Sequence, residues 1–315
     1  MIINYLSDYL PPMIISNDHF LKRTGLTSEE IILKSGIKRR RYTQPGENTN
    51  SMAIEAVNKI RRDLPFSIQE IDLIIGATYT PFDTVGTLAH AVQKQFYIPD
   101  ARCFTVDSAC SSFINAMEIA DCYFAYRKAN KALIIVSENN SVYYDPSDPK
   151  SSFLWGDGAA AIIVTNRRYS EHDLAVLDLD TKGLGHIGKS IEAVYLKPCG
   201  YGLRMPYGRD VFQYACEYMV NETSQILNKN NVPVSSLDYF IAHQANARII
   251  KHITKKLELN SSSVLTNIEE LGNTGSASIP IILSQNKEKF KTNETIAVSA
   301  FGGGYSCGTM LLKKL

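Results

Sequence analysis

No apolar run in this chain approaches the about 20 residues that a bilayer-spanning helix needs, so no transmembrane span is expected. There is no C-x-x-C pair. The six cysteines, at 103, 110, 122, 199, 216 and 307, are scattered, which disfavours a zinc site and a disulfide framework, and no metal is expected. Excess charge of either sign is missing too: 33 Lys and Arg stand against 32 Asp and Glu, leaving a net charge of +1. No global field therefore recruits nucleic acid or a membrane surface, and any charge-driven partner must use a local patch. The opening stretch MIINYLSDYLPPMII lacks a basic region and is broken by Pro11 and Pro12, so it does not read as a signal peptide. With 44% hydrophobic and 21% charged residues, the composition is globular. The expectation is a cytoplasmic enzyme with free thiols.

What the chain does have is a set of short runs that are apolar nearly throughout: IDLIIGA (71–77), KALIIVS (131–137), AAAIIVT (159–165), LDYFIAH (237–243) and TIAVSAF (295–301). Such runs suit strands buried on both faces. Between them lie helix-period stretches. Phe113, Met117, Ala120 and Phe124 recur at spacings of 4, 3 and 4, one apolar stripe beginning just after Cys110. The alternation predicts an α/β protein. A weak internal repeat adds a second feature: Asp72, Cys110 and Leu133 are separated by 38 and 23 residues, and Asp238, Asn273 and Ile296 by 35 and 23. Two homologous halves, 1–165 and 166–315, are expected, with a loop-rich insert at about 181–208 carrying GLGHIGKS, LKPCGYG and MPYGRD.

Each motif has a plain reading and a sharper one. Cys110, in FTVDSACSSF, is either a small core residue or a nucleophile. GLGHIGKS (183–190) fits the phosphate-loop pattern G-x-x-x-x-G-K-S. The residues after it reach Pro198 and Gly200 too soon for the usual long helix, so a surface loop is expected. KRRRY (38–42) is a solvated basic face or a phosphate contact. In HQANARIIKHITKKL, Arg248, Lys251 and Lys255 form one helical stripe, with Ile250, Ile253 and Leu257 on the opposite face. That is an amphipathic helix with a basic outside, or a docking surface for an acidic partner. His243 closes a strand at its carboxyl end, where open α/β sheets place ligands. Asn273 stands in a turn sequence before a small-residue helix, and Gly302-Gly303-Gly304 ends a strand where a backbone can approach a ligand closely.

Taken in order, the Cys110 stretch, FLWGDGAAA (153–161), HQAN (243–246), GNTGSAS (272–278) and AFGGG (300–304) resemble β-ketoacyl-acyl carrier protein synthase III, of the thiolase superfamily. The resemblance runs from about Ser35 to the C-terminus. It implies a thiolase-like duplicated five-layer αβαβα fold and a homodimer. It also implies condensation of an acyl primer with malonyl-acyl carrier protein, releasing carbon dioxide, in fatty-acid or related secondary-metabolite biosynthesis, with no cofactor. By position it makes Cys110 the nucleophile and His243 and Asn273 the decarboxylation pair, with the amides of Cys110 and Gly303 as the oxyanion hole. A helix start at Cys110 is expected to favour the thiolate. Lys34, Val85, Asn246 and Arg248 map to substrate and pantetheine contacts. Arg248, Lys255 and Lys256 map to the surface that meets the acyl carrier protein. The primer donor is acyl-coenzyme A or an acyl-carrier protein. Three positions depart from the pattern: Glu30 replaces the tryptophan that stacks on the coenzyme A adenine, Lys34 replaces an arginine, and Val85 replaces the phenylalanine closing the acyl pocket. The last implies a different or larger pocket. The alternative is acyl transfer from Cys110 without decarboxylation, and a nucleotide-binding module rests on GLGHIGKS alone.

Overall fold

The uniformly apolar runs become strands because each has an apolar layer on both sides. In the computed structural model, which describes residues 1–198, 200 and 202–315, every residue of Gly158–Thr165 is buried. Cys199 and Tyr201 of LKPCGYG lie outside the described residues. The first half of the chain forms β1 (Ile2–Tyr9), β2 (Met13–Ser16), α1 (Asp18–Thr24), α2 (Ser28–Ser35), β3 (Arg39–Tyr42), α3 (Thr49–Ile60), β4 (Leu73–Ala77), α4 (Leu88–Phe96), β5 (Arg102–Val106), α5 (Ser112–Ala125), β6 (Lys131–Glu138) and β7 (Gly158–Thr165). The second forms β8 (Leu174–Gly183), α6 (Gly208–Lys229), β9 (Tyr239–Ala242), α7 (Ala247–Lys256), α8 (Ile268–Leu271), α9 (Ser278–Asn286), β10 (Thr295–Gly302) and β11 (Ser306–Lys314).

The main sheet runs β5-β4-β6-β7-β1-β8-β11-β10-β9. Its two halves meet where β1 pairs antiparallel with β8, Ile2 opposite Ala175 and Ile3 opposite Leu174. Each half has the same plan. β4 lies parallel to β6, which is antiparallel to β7; β9 lies parallel to β10, which is antiparallel to β11. The counterpart of β5 is reduced to a single bridge between Phe240 and Val264. Alternate side chains of one strand enter different cores, as a period of two requires. Ile134 and Val136 pack with α5 and α9 in the central layer, while Leu133 and Ile135 face α3 and α4. On the far side, Phe240, Ala242 and Leu311 pack against α6 and α7. The expected duplicated five-layer αβαβα fold is the fold observed.

The duplication reaches individual hydrogen bonds. Asp72 accepts the N–H of Lys131 at 2.9 Å, at the start of β6, and Asp238 accepts that of Thr295 at 2.8 Å, at the start of β10. Asp107 accepts the N–H of Ala109, two residues on, at 2.8 Å; Asn273 accepts that of Gly275 at 2.9 Å. Asp107 follows Asp72 by 35 residues, as Asn273 follows Asp238. The equivalent of Asn273 is therefore Asp107, and that of Cys110 is Ser276. This corrects the expected pairing of Cys110 with Asn273 by three residues.

Two basic or glycine-rich motifs are structural. Lys38 pairs with Glu269 and Arg39 with Glu270. Arg40 is fully buried, donating to Asn17 Oδ1 at 2.9 Å and to the Phe153 carbonyl at 2.6 Å. The KRRRY run thus ties β3 to its neighbours, with Lys38 and Arg39 paired to acids and Arg40 buried. After GLGHIGKS comes only the short turn Ser190–Glu192. The Lys189 N–H, which a phosphate loop would aim at a phosphate, donates instead to the Asp210 carboxylate at 2.9 Å. Ser190 Oγ donates to the Gly304 carbonyl at 2.8 Å, so the expected surface loop, exposed at Gly183, Gly185, His186, Gly188 and Lys189, also buttresses the glycine turn. Among the described residues, no helix is long and apolar enough to cross a membrane.

Candidate active site

The nucleophile candidate sits in a turn sewn together by small polar side chains. Beyond β5, residues Ala109–Ser111 form a single 3-10 turn that leads into α5. Ala109 has φ +49°, a left-handed conformation that costs a residue with a Cβ. Local hydrogen bonds hold it there. Besides the Asp107 bond, Ser112 Oγ accepts the Ser108 N–H at 2.8 Å and donates to the Ala109 carbonyl at 2.6 Å. Ser306 Oγ, from β11, donates to the Ser108 carbonyl at 2.8 Å. The end of β10 lies hard against this turn: a Cβ on Gly302 would stand 2.8 Å from the Cys110 nitrogen. Only glycine permits that approach.

The N–H groups of Gly303 and Cys110 both reach the Cys110 sulfur. They favour the thiolate, yet burial and the Glu138 carboxylate outweigh them and push the thiol well above its ordinary value. The expected thiolate-stabilising helix start is overridden, because desolvation penalises the charged form more than two amides offset. Glu138 itself is fully buried at the end of β6, where it accepts from Ser276 and, at 2.5 Å, from Thr80. Burial still raises it to about 8.

His243 follows β9 and stays paired with the neighbouring β10, its N–H donating to the Ser299 carbonyl at 2.8 Å. The ring is buried, and burial lowers its pKa to about 4, so the imidazole is neutral. Nδ1 lies 2.8 Å from Ser278 Oγ, at the first residue of α9, and the same hydroxyl accepts the Gln244 N–H at 3.4 Å. Assigning the hydroxyl proton to Nδ1 puts the ring proton on Nε2. Asn273 is fixed through its backbone to the FLWGDG segment, donating to Leu154 at 2.8 Å and accepting from Gly156 at 2.9 Å. Because Oδ1 takes the Gly275 N–H, the Nδ2 group is the part of the amide free to donate.

Cys110, His243, Asn273 and Gly303 line one cavity of about 340 Å³, with Trp155 and Tyr79. The long insert supplies part of its wall, including Val194, Tyr195 and Leu203. Next to it runs a groove of about 1080 Å³ bordered by Lys34, Lys150, Lys189, Arg209 and Arg248. The two share Met205, Val211 and Ala245, which marks where the cavity opens. Asn246 borders the groove and also caps α7, accepting the Arg248 N–H at 2.8 Å and donating to the Lys34 carbonyl at 3.1 Å. Arg248, Lys251, Lys255 and Lys256 are exposed along α7, while Ile250, Ile253 and Leu257 are buried. Glu30, which replaces the tryptophan of the resemblance, caps α2 by accepting the Thr27 N–H at 2.9 Å. Val85 stands in the loop 81–87, 88% exposed, and does not line the cavity of its own chain.

The arrangement offers a sulfur, two backbone donors that favour its thiolate, and two neutral side-chain donors in the same cavity. Tyr79, Asp107, Glu138 and Ser278 were not singled out from sequence. Ser278 lies inside GNTGSAS, and its distance from His243 along the chain left no local sign of the contact.

Known proteins share this fold and sequence. Residues 104–183 match the model of the family described as 3-oxoacyl-[acyl-carrier-protein] synthase III, and residues 227–314 that of its C-terminal part. The β-ketoacyl-[acyl-carrier-protein] synthase III of Aquifex aeolicus is 34% identical, over 97% of this chain and 96% of that protein. That of Clostridium perfringens is 32% identical, over 97% and 96%. The Aquifex crystal structure superposes with a TM-score of 0.91, covering 99% of both chains. The Thermus thermophilus structure, 26% identical, does so with 0.92, covering 99% and 98%.

Proposed function

The chain belongs to the 3-oxoacyl-[acyl-carrier-protein] synthase III family, and from that premise we propose that its cavity carries out a decarboxylating condensation with Cys110 as nucleophile. Cys110 sulfur attacks the thioester carbonyl of the primer, and the departing pantetheine sulfur leaves with the thiol proton. The primer is then held as a Cys110 thioester, which divides one hard step into two easier ones. The oxyanion formed during this transfer is met by the N–H groups of Cys110 and Gly303. Malonyl-acyl carrier protein enters next. Loss of carbon dioxide leaves the electron pair on the malonyl-derived carbon, delocalised onto its thioester oxygen. His243 Nε2–H and Asn273 Nδ2–H each donate to that oxygen. The carbanion attacks the Cys110 thioester and expels the sulfur, giving a β-ketoacyl thioester on the carrier. No base is needed to make the carbanion, so a neutral His243 suits the step. No cofactor is needed either.

The observation that carries this reading is the pairing of a neutral His243 donor with the free Asn273 amide in the Cys110 cavity. Acyl transfer without decarboxylation would have no use for that pair. The five cations along the groove suit the phosphates of a pantetheine arm or of coenzyme A. Arg248, Lys255 and Lys256 suit docking of an acidic acyl carrier protein. A cytoplasmic homodimer belongs to the same reading, as does the seam between homologous halves at 165/166. The edge strand β5 leaves a row of unpaired backbone groups for a partner, and Val85 would reach the partner's cavity.

Labelled malonyl thioester should release carbon dioxide with the wild-type protein, in step with product formation. Acyl transfer without that release would favour the alternative. Cys110→Ala should lose covalent loading of the primer altogether, by intact-mass spectrometry, with the thermal transition retained.

A further inference from the structure

We propose that Tyr79 sets the length of the primer's acyl chain, an inference that rests on the condensing role of Cys110. The cavity opens between α6 and α7, at Met205, Val211 and Ala245. Tyr79, just after β4 in the other half of the molecule, lines the cavity with Cys110 but does not border the groove from which the cavity opens. An acyl group delivered through the mouth to the sulfur therefore extends toward this ring.

The ring is held at several points. Its hydroxyl donates to Asn140 Oδ1 at 2.8 Å, and Asn140 is fully buried, with Nδ2 donating to the Gly156 carbonyl at 2.7 Å. Its backbone N–H reaches Glu138 at 3.4 Å. Across the ring lies Gly275, where a Cβ would stand 2.4 Å from the Tyr79 hydroxyl oxygen and 2.8 Å from Cε1. The glycine has φ +58° and supplies the room that the ring fills. Swinging Tyr79 aside would leave Asn140 Oδ1 buried without its donor, which a buried acceptor resists. The wall is consequently stiff, and a cavity of about 340 Å³ lies near the small end of the ~300–1,000 Å³ range of ligand sites. Acetyl and butyryl groups fit in front of the ring, and an octanoyl group runs into it. Val85, on an exposed loop, puts no such limit on its own chain.

The test is covalent loading of Cys110 from acetyl-, butyryl- and octanoyl-coenzyme A, followed by intact mass. The wild-type protein should load butyryl roughly tenfold or more faster than octanoyl, the scale at which pocket walls discriminate chain length. Tyr79→Ala should remove that preference. Tyr79→Leu, which keeps a packed apolar side chain, should reduce it and serves if the alanine variant does not fold. Tyr79→Phe keeps the ring and should keep the discrimination. Equal wild-type loading of octanoyl and butyryl would overturn the proposal. So would an unchanged length profile in a variant that still loads. Absence of any acyl adduct on Cys110 of the wild type would instead overturn the condensing reading beneath it.

Discussion

The turn before α5 and the turn before α9 descend from one local plan and end in different chemistry. Both begin with an acid or amide side chain accepting an N–H two residues on, at Asp107 and at Asn273. Both then place a residue in the left-handed region, Ala109 at φ +49° and Gly275 at φ +58°. Both pass through a 3-10 turn into a helix. In the first, the residue after the left-handed position is Cys110, facing the cavity. In the second it is Ser276, turned inward to Glu138. Asp107 and Asn273 both border the cavity, but a carboxylate only accepts, whereas the amide keeps a free N–H to donate. One atom thus separates a residue that shapes a turn from one equipped to stabilise an enolate.

The largest test of this contrast is Asn273→Asp. The turn should survive, because Oδ1 can still take the Gly275 N–H. The donor facing the enolate becomes a negative acceptor, so carbon dioxide release should fall by about 10²–10³ or more. Primer loading on Cys110 should change far less, and an equal fall in both steps would break the distinction between the turns. His243, bonded to the first residue of α9, gives a second test through pH. Its folded pKa lies near 4 against an ordinary 6.5, so the unfolded chain binds the proton first as pH falls. The associated stability is complete above about 6.5 and is lost progressively towards pH 4. At about 1.4 kcal/mol per unit, the difference approaches roughly 3 kcal/mol. Denaturation midpoints measured from pH 7 to 4 should fall less steeply for His243→Gln. The smallest expected effect is Asp107→Asn. It keeps the bond to Ala109 and removes one of the negative charges that raise the Cys110 thiol. The pH profile of primer loading should shift to lower pH by a fraction of a unit, with its maximum little altered.

Much of this was legible beforehand. The runs at 71–77, 131–137, 159–165, 237–243 and 295–301 became β4, β6, β7, β9 and β10. Strands buried on both faces leave an unbroken apolar signature. By contrast, β8 has a partly exposed pattern and β11 ends in two lysines, so neither carries that signature. Cys110, His243, Asn273 and Gly303 were identified from their motifs in order and do line one cavity. The repeat was visible, but its register was three residues off at the turn. The hydrogen bonds of Asp107 and Asn273 define that register, and such side-chain bonds to a backbone N–H two residues on leave no mark in residue spacing.

By itself, the sequence determined which segments are buried and which side chains could do chemistry, because burial and residue type are written locally. The tertiary structure decided what those groups face. Arg40 became a buried brace and Lys189 N–H met Asp210, although along the chain KRRRY left a phosphate contact open and GLGHIGKS, expected as a surface loop, fits a phosphate-loop pattern. The Cys110 thiol was raised by burial and by Glu138, 28 residues away, against the helix start that sequence could see. Ser278 oriented His243 from 35 residues further along the chain. Ionisation, tautomer and cavity shape depend on partners that only the packing of two halves brings within a few ångströms, and such partners leave no mark on spacing or composition.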